Sequence, residues 1–559
     1  MAEAAGLLSG GEALVSALEV LGVEVAFGLP GVHNLAAWRG FSGSPVRLVG
    51  VRHEQTAGYA ADGYARATGR LGVAVTTTGP GASNVVTAVG EAWSCHTPLL
   101  VIATDVPTTL RRAGAYRGVL HETTDQASFF RPVVKAVVQV TRAEDLHDEV
   151  VRAGRLAMEH PRRPVYLEVP TDLLSAQVPR PAALPGPLPG PLSDSVAPVR
   201  ASPVVPDVSA LVAALAAAER PLLWAGGGAT ASGAGDLVAE LALVLGAPVL
   251  SSYGGRGLLP PEHPCAVGLP PHVEAVGALW DQSDCVLVLG SDLDFMNTQG
   301  FRQPRPPVLL VVDLVELANA EPDVLVRADV RAALAPVLAA LVEVLDEVPP
   351  GRRAPWWSSS QVHAAGRARL EAEHPAETAL LATLESALPD DAVVVADMCV
   401  AGYWYGGFGR VTRPRGLAYP VGWGTLGFGF PAALGTSLSG RPTVALVGDG
   451  GFLFACGDLA TAAQERLPVT VVLVDDGGYG MLRYDFEVHG QQPVGTELEP
   501  PDFVALAAAF RVDAVEVDAG GLGEAVAAGI ASGRPNLVVL KARLAPPPNT
   551  SPNWYRARP

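Results

Sequence analysis

Two apolar runs near the carboxyl terminus, joined by an alanine-rich stretch, constrain the fold more than any other feature of the sequence. The run VALV precedes Gly448 and the run VTVVLV precedes Asp475, and both are typical of buried parallel strands. The stretch between them has the composition of a crossover helix. This order predicts an open α/β sheet with Asp449 and Asp476 at the carboxyl ends of two strands, the edge at which such sheets bind ligands.

The two carboxylates suit a hard divalent cation such as Mg²⁺, which takes a few oxygen ligands from protein and completes its shell with phosphate and water. The neighbouring glycines, Gly448, Gly450 and Gly451, let the backbone approach a phosphate closely. An unrelated pair of strand-helix units with acidic loop ends would give the same pattern. This segment alone therefore leaves both interpretations open.

The segment 448–478 resembles the metal and diphosphate motif of thiamine diphosphate enzymes. The resemblance implies that Asp449, Asp476 and the backbone carbonyl of Gly478 hold Mg²⁺. The family usually has Asn at the second of these positions, and Asp475 also departs from the pattern, so we expect tighter metal binding from the added charge. The residues implied to contact the cofactor here are Gly448, Asp449, Gly450, Gly451, Asp476, Gly478, Tyr479, Gly480 and Met481.

A second motif, near the amino terminus, belongs to the same chemistry. In LVGVRHEQTAGYAADGYARATGR, Glu54 lies at a predicted strand-to-helix junction, and the run resembles the family pattern closely. In that family a glutamate at this point hydrogen-bonds N1′ of the aminopyrimidine ring and so promotes loss of the thiazolium C2 proton. For an isolated His-Glu pair, a carboxylate stabilised by the helix dipole is the alternative.

Two glycine-rich segments complete the implied cofactor site. The segment TTTGPGASN resembles the family turn that lies against the pyrimidine, which makes Gly79 and Asn84 candidate contacts. In GWGTLGFGFPAALG, the resemblance implies that Leu426 wedges the cofactor into its bent shape and that the carbonyl of Gly424 holds the 4′-amino group. Bending brings the reacting atoms together, which is catalysis by positioning.

Length and linkers predict three domains. A chain of 559 residues suffices for three domains of ordinary size, and the proline-rich, almost uncharged stretch 181–206 is typical of an extended linker. A softer boundary falls near 348–357. We predict an α/β fold with three doubly wound parallel-sheet domains: 1–180 binds the pyrimidine, 207–350 is a Rossmann-like middle domain, and 365–559 binds the diphosphate. The two outer domains should share a fold, as they do in the family.

Composition restricts the partners and the compartment. A net charge of −18 and a pI near 5.1 argue against nucleic acid and anionic membranes. No apolar run approaches the ~20 residues needed to cross a bilayer, and the acidic start is not typical of a secretory signal. Five scattered cysteines without CxxC spacing favour a reducing cytoplasm. The family resemblance implies a homodimer or homotetramer with the cofactor between chains.

The predicted middle domain contains a glycine turn of the dinucleotide-binding type. Gly226 and Gly228 fit the pattern, but Ala231 stands where a strict pattern has a third glycine. Some relatives bind FAD in this domain and others bind nothing. FAD is therefore a possible second cofactor, with an empty middle domain as the favoured expectation.

The reaction depends on the substrate pocket. The segments GFGFPAALG and FGLPGVHN resemble acetohydroxyacid synthase and its relatives more than pyruvate decarboxylase. Where the synthase has an arginine for the carboxylate of the second oxo acid, this chain has Met296, and where it has a tryptophan, this chain has Asp485. The pocket thus loses a cation and gains an anion, which favours a cationic or polar 2-oxo acid.

With LHETTDQASF and the tail APPPNTSPNWYR, the resemblance extends to decarboxylases of 5-guanidino-2-oxopentanoate. His121 takes the position of a glutamine beside the cofactor's C2 and could donate the proton that releases an aldehyde, or merely pack there. His33 and His489 are candidates to approach the substrate, with solvated loop histidines as the alternative.

The predicted function is decarboxylation of a 2-oxo acid, with aldehyde release or transfer to an acceptor. Alternatives are an acetolactate synthase, a flavin-linked oxidase, and an inactive homologue acting as a partner subunit.

Overall fold

The structure is a computed structural model that describes residues 6–112, 114–180, 206–346 and 353–557. The predicted linker lies outside the described residues except for its last position. Three parallel sheets flanked by helices confirm the predicted α/β class. Within the described ranges, no helix combines the length and the apolar character needed to cross a membrane.

The amino-terminal domain is built on a six-stranded parallel sheet of order β3-β2-β4-β5-β7-β6, and β1 pairs with β8 in a separate antiparallel ribbon. Its central strands are buried along their whole length, which explains their continuous apolar sequence. The strands are β1 (Leu7–Ser9), β2 (Val25–Gly28), β3 (Arg47–Gly50), β4 (Gly72–Thr76), β5 (Leu99–Asp105), β6 (Ala136–Gln139), β7 (Val165–Pro170) and β8 (Gln177–Pro179). The helices are α1 (Gly10–Val20), α2 (Leu35–Gly40), α3 (Glu54–Thr68), α4 (Pro80–Asn84), α5 (Val86–Ser94), α6 (Leu146–Met158) and α7 (Thr171–Ser175).

The middle domain has a five-stranded parallel sheet of order β10-β9-β11-β12-β13, a doubly wound arrangement. The strands are β9 (Pro221–Ala225), β10 (Val249–Ser251), β11 (Cys285–Leu289), β12 (Val308–Asp313) and β13 (Val324–Arg327). The helices are α8 (Ser209–Ala217), α9 (Gly227–Ala231), α10 (Gly235–Leu245), α11 (Glu274–Gln282) and α12 (Val330–Asp346). The predicted glycine turn brings two backbones together, because a Cβ added at Gly228 would lie 2.7 Å from the Cα of Gly290.

The carboxyl-terminal domain has a six-stranded parallel sheet of order β15-β14-β16-β17-β19-β18. The strands are β14 (Val393–Ala396), β15 (Leu417–Ala418), β16 (Thr443–Gly448), β17 (Val469–Asp475), β18 (Asp513–Val517) and β19 (Asn536–Lys541). The helices are α13 (Ser359–Glu373), α14 (Pro375–Ala387), α15 (Val400–Phe408), α16 (Gly429–Thr436), α17 (Asp449–Phe452), α18 (Leu459–Glu465), α19 (Gly480–Val488), α20 (Phe503–Ala509) and α21 (Leu522–Ser532). When the strands of each six-stranded sheet are numbered along the chain, the two sheets have the same strand order.

The two outer domains share one hydrophobic core, in which α3 packs directly on α16. Gly63 and Gly435 allow the two helices to touch through their backbones, because a Cβ at either position would collide with a carbonyl oxygen of the other helix. At the same interface the rings of Tyr59 and Phe428 meet edge to face, with centroids 5.4 Å apart. This packing fixes the relative position of the two sheets within one chain.

Candidate active site

A cavity of about 100 Å³ lies at the carboxyl ends of β16 and β17, where the predicted metal and diphosphate motif begins. The strands end where the apolar runs predict: β16 ends at Gly448 and Asp449 begins the next helix, whereas β17 ends at Asp475 and a glycine turn at Gly477 and Gly478 leads into α19. The predicted residues that line this cavity are Leu426, Gly448, Asp449, Gly450, Gly451, Asp476, Gly478, Tyr479, Gly480 and Met481.

The two predicted metal ligands each present an unsatisfied oxygen. Asp449 Oδ2 and Asp476 Oδ1 are buried and have no hydrogen-bond partner within the described part of the chain. Burial, and then the nearby Asp476 carboxylate, raise the pKa of Asp449 to about 6. Burial also raises the pKa of Asp476, against the opposing effect of Arg483. Two such carboxylates at one cavity fit a divalent cation.

The third predicted ligand is a backbone carbonyl, and the backbone there needs glycine. Gly478 has φ +154°, and a Cβ would collide with the carbonyl oxygen of Thr496. Among the described residues, no group of three or more His, Cys, Asp or Glu side chains is arranged to hold a metal. A cation at Asp449 and Asp476 would therefore depend on a backbone carbonyl, phosphate and water for the rest of its shell.

The loop that carries the predicted wedge reaches the same cavity. Leu426 lines the cavity, and Gly424 has φ +69°, a conformation that glycine adopts without strain. Asp397, at the end of β14, accepts hydrogen bonds from the N–H groups of Gly427 and Gly429, each at 3.1 Å. Sequence reasoning missed Asp397, although an acidic residue directly after the strand VVVA was a usable signal.

On the amino-terminal sheet, the predicted proton-relay residue begins α3. Glu54 is buried, and the side-chain amide of Asn84 donates a hydrogen bond to its Oε2 at 3.0 Å. Gly81 leaves room for the carboxylate, because a Cβ there would lie 3.3 Å from Glu54 Oε1. The structure therefore brings together two predicted cofactor contacts that are thirty residues apart in the chain.

The predicted substrate histidines lie beside the glycine turn of the same sheet. The rings of His33 and His121 are 5.2 Å apart, and the Nδ1 atom of each is buried with no partner among the described residues. Gly79 has φ +65°, and a Cβ there would lie 3.0 Å from the Cβ of His121. Burial, and then the neighbouring His121, lower the pKa of His33. These three residues form one cluster.

Gln126 holds the turn of this cluster through hydrogen bonds, and sequence reasoning missed this residue. The Gly79 N–H donates a hydrogen bond to Gln126 Oε1 at 2.6 Å, and Gln126 Nε2 donates to the hydroxyl of Tyr166 at 2.8 Å. The side chain is buried. No short-range pattern identifies such a residue, because its partners lie on β5, β7 and the turn after β4.

Within one chain, the two clusters form separate sites. The described residues that line the cavity beside Asp449 all lie between positions 398 and 544, and none belongs to the amino-terminal domain. Glu54 instead faces Asn84 and Gly81.

The remaining predicted pocket residues lie near the cavity. Asp485 is half-buried on α19, and burial raises its pKa while His489 opposes that shift. His489 is exposed, and its Nδ1 lies 2.7 Å from the carbonyl oxygen of Asp485. The Tyr484 hydroxyl donates to Asn553 Oδ1 at 3.0 Å, so the carboxyl-terminal tail lies against α19.

The same tail reaches the loop that carries Met296. The rings of Trp554 and Phe295 have centroids 5.5 Å apart, and the carbonyl oxygen of Met296 lies 2.8 Å from Nε2 of His272. The tail thus contacts Tyr484 and Phe295, the neighbours in sequence of the two positions that depart from the synthase pattern.

The middle-domain turn opens onto a separate cavity of about 280 Å³. Gly227, Gly228 and Asp313 line its middle-domain side, at the carboxyl edge of that sheet. The volume is at the lower limit of the ~300 to 1,000 Å³ that ligand pockets usually have.

Comparison with known proteins assigns the family. A model of the thiamine pyrophosphate enzyme N-terminal TPP binding domain matches residues 8–129, one of the central domain matches 208–337, and one of the C-terminal TPP binding domain matches 398–540. The chain belongs to the thiamine pyrophosphate enzymes. It is an enzyme of the 2-oxo acid decarboxylase and carboligase type, as the family resemblance predicted.

Individual relatives cover most of the chain. It is 37% identical over 512 residues to a probable 2-ketoarginine decarboxylase of Pseudomonas aeruginosa, which covers 90% of this chain and 88% of the relative. It is 28% identical over 540 residues to a probable acetolactate synthase large subunit of Methanocaldococcus jannaschii, covering 91% and 87%. It is 31% identical over 530 residues to an acetolactate synthase large subunit of Mycobacterium tuberculosis, covering 90% and 82%.

Proposed function

We propose that this enzyme decarboxylates 5-guanidino-2-oxopentanoate, the 2-oxo acid of arginine, or a similar polar 2-oxo acid, with thiamine diphosphate and Mg²⁺, and releases an aldehyde. The observation that carries the proposal is the position of Asp485. It lies four residues after Met481, which lines the cavity, and therefore on the same face of α19. The named activity of the relative from Pseudomonas aeruginosa agrees with this substrate.

Bound thiamine diphosphate supplies the carbanion stabilisation that loss of carbon dioxide requires. Asp449, Asp476 and the carbonyl of Gly478 would hold Mg²⁺ and, through it, the diphosphate. Leu426 would pack against the cofactor, and the carbonyl of Gly424 would accept a hydrogen bond from its amino group. The role of these groups is to bind and orient the cofactor.

Proton movement is assigned to the amino-terminal cluster. Glu54 would exchange a proton with the pyrimidine ring, and Asn84 orients its carboxylate. His121 would donate a proton to the reacting carbon fragment, since its Nδ1 has no partner in the described chain. Because burial and then His121 lower the pKa of His33, the neutral form of the His33 ring is favoured.

We infer that each site is completed by a second copy of the chain, in a homodimer or homotetramer. The separation of the two clusters within one chain supports this, because Glu54 has no access to the cavity beside its own Asp449. Large apolar side chains are also about half exposed: Leu482, which lines the cavity, is 50% exposed, Phe454 beside Gly427 is 55% exposed, and Trp423 next to Gly424 is 49% exposed. A partner's amino-terminal domain would cover them.

The substrate test compares carbon dioxide release from 5-guanidino-2-oxopentanoate, 2-oxohexanoate and pyruvate. Asp485→Asn should lower kcat/KM for the guanidino acid about 10- to 100-fold, because a charge pair is lost, and should change kcat/KM for 2-oxohexanoate little, because the side chain of that acid is uncharged. The matched control is Glu487→Gln, an exposed carboxylate on the same helix. Preference for pyruvate, or equal losses on both acids, would contradict the proposal.

Acetolactate formation is the second candidate, because several relatives carry the name acetolactate synthase. Acetolactate from pyruvate alone would favour it, and a yellow protein with bound flavin would favour an oxidase. An inactive partner subunit is disfavoured by the presence of Glu54, Asp449 and Leu426 together.

A cytoplasmic location also remains a proposal, supported by five free cysteines.

A further inference from the structure

The loop 419–428, here called the cofactor loop, connects β15 to α16 and carries both Gly424 and Leu426. Its shape is not fixed by regular secondary structure. Instead, buried carboxylates from two different domains bind its backbone on either side of these two residues.

Downstream of Leu426, the carboxylate is Asp397, which is 1% exposed. Its Oδ1 accepts the Gly427 N–H, its Oδ2 accepts the Gly429 N–H, both at 3.1 Å, and Oδ1 also accepts the Met398 N–H at 2.7 Å. The side chain thus ties the end of β14 to the backbone immediately after the wedge residue and to the first turn of α16.

Upstream of Gly424, the carboxylate is Glu91, which belongs to α5 of the amino-terminal domain. Its Oε2 accepts the N–H of Trp423 at 3.1 Å, and its Oε1 accepts a hydrogen bond from Arg66 Nη2 at 3.2 Å. Arg66 Nη1 in turn donates to the carbonyl oxygen of Tyr419 at 3.0 Å. Two points of the cofactor loop are therefore held by side chains that lie more than three hundred positions earlier in the chain.

Asp62 completes this cluster. It accepts two hydrogen bonds from Arg66, each at 2.8 Å, in the fork geometry that orients a guanidinium. The side chains of Asp62 and Glu91 are fully buried, and that of Arg66 is 12% exposed. Buried ion pairs cost desolvation free energy that well-packed apolar residues would not. A requirement to hold polar backbone groups in one place would explain their presence here, since apolar side chains cannot do that.

We propose that Glu91 and Asp397 are positioning residues that fix the cofactor loop, so that the Gly424 carbonyl and Leu426 stay where the cofactor needs them. Arg66 and Asp62 act through Glu91. The inference rests on the cofactor site of the proposed function, and it adds a dependence of that site on the amino-terminal domain of the same chain. It requires neither the guanidino substrate nor the contribution of Glu54.

The test measures thiamine diphosphate binding to the full-length protein by calorimetry at saturating Mg²⁺, beside kcat with any oxo acid that the wild type accepts. Glu91→Gln and Asp397→Asn should each weaken cofactor affinity and lower kcat by about 10- to 100-fold, as expected when reacting groups are displaced by about 1 Å. Arg66→Lys should shift both quantities in the same direction, since it keeps the charge but loses the fork.

The control is Glu385→Gln, which removes a half-buried carboxylate that also accepts a backbone N–H, that of Arg410 at 2.8 Å, away from the cofactor loop. A purely structural role predicts that Glu91→Gln and Asp397→Asn lower Tm but leave cofactor affinity and kcat at the control's values, and this result would overturn the proposal. Should one variant fail to fold, the other tests it from the opposite side of the loop. A wild-type protein that binds no thiamine diphosphate would instead refute the proposed function.

Discussion

The amino-terminal and carboxyl-terminal sheets have the same strand order, and they present different chemistry at equivalent loops. After the second strand of each domain sheet, β3 in one and β15 in the other, come Glu54 and the loop with Leu426. After the third, β4 and β16, come Gly79 and Asp449. The shared topology brings these loops to corresponding edges, and only their residues decide whether the edge suits a pyrimidine ring or a metal diphosphate.

The two sheet edges also differ in the charge of the side chains that they carry. At the carboxyl-terminal edge, burial raises the pKa of both Asp449 and Asp476, and the Asp476 carboxylate adds to the shift at Asp449. A cation between the two carboxylates would favour their charged forms. At the amino-terminal edge, Glu54 accepts a hydrogen bond from the uncharged side chain of Asn84, and His33 and His121 form a ring pair beside the turn at Gly79. This difference agrees with the proposed roles, in which the carboxyl-terminal edge holds a cation and the amino-terminal edge moves a proton.

The strongest test of this division is Glu54→Gln. We expect kcat to fall about 100- to 10,000-fold, because proton transfer to and from the ring is lost, while cofactor affinity changes much less. Steady-state kinetics and calorimetry measure the two quantities. Unchanged turnover would remove the catalytic role of the amino-terminal edge.

Mixing variants sharpens the same comparison. Glu54→Gln and Asp449→Asn proteins should each show little activity alone at a cofactor concentration that only just saturates the wild type. They should regain activity when unfolded together and refolded, since a mixed dimer has one intact site of two. With statistical mixing, roughly a quarter of wild-type activity is expected. No recovery despite mixed dimers, shown by differently tagged chains, would place each site within a single chain.

The next largest effect is expected on cofactor binding at the carboxyl-terminal sheet edge, where the metal ligands are predicted. Asp449→Asn should weaken Mg²⁺-dependent cofactor binding by about 100-fold, because a direct ligand is lost. Asp475→Asn is the control, since that carboxylate accepts the Gly477 N–H and is not a predicted ligand. Equal losses in the two variants would indicate that general negative charge, and not coordination, holds the cofactor.

A smaller effect is expected at the wedge. Leu426→Ala should lower kcat about 10-fold, because the cofactor loses the contact that keeps it bent, while Leu426→Met should restore most of it. Single-turnover kinetics separates this loss from product release. If the alanine variant matched the wild type, bending would have to come from elsewhere in the cavity.

The smallest expected effect concerns the contact between the two sheets. Gly63→Ala places a Cβ against the carbonyl oxygen of Ala432 and should lower the free energy of unfolding by about 1 to 3 kcal/mol. Gly457→Ala is the control, because nothing lies within 4 Å of its added Cβ. Urea unfolding measures both. Equal stability would mean that α3 and α16 adjust without cost.

Local patterns predicted much of this structure. Apolar runs gave the strands, and the acidic and glycine residues after them gave the cavity lining around Asp449, because strand ends and tight turns depend on neighbouring residues. Asp397, Glu91 and Gln126 could not be found in this way. Their function lies in hydrogen bonds to backbone groups far along the chain, and such bonds leave no periodic signal.

Placement of residues relative to the cavity was also beyond local reasoning. Glu54 begins a helix as predicted, but its separation from the cavity depends on how two sheets pack through α3 and α16. The direction in which Asp485 points follows from its register with Met481 on α19. Both are properties of tertiary packing, which many dispersed contacts determine together.

Helix α3 has a consequence that reaches beyond one chain. Its first residue is Glu54, and its last turn contains Arg66, about 18 Å away along the axis. If each site is completed by a partner, Glu54 at one end of the helix contacts the partner's coenzyme. Arg66 at the other end helps to hold the cofactor loop of its own chain. A tilt of α3 would then move both Glu54 and Arg66, and would change the cofactor sites of both chains at once.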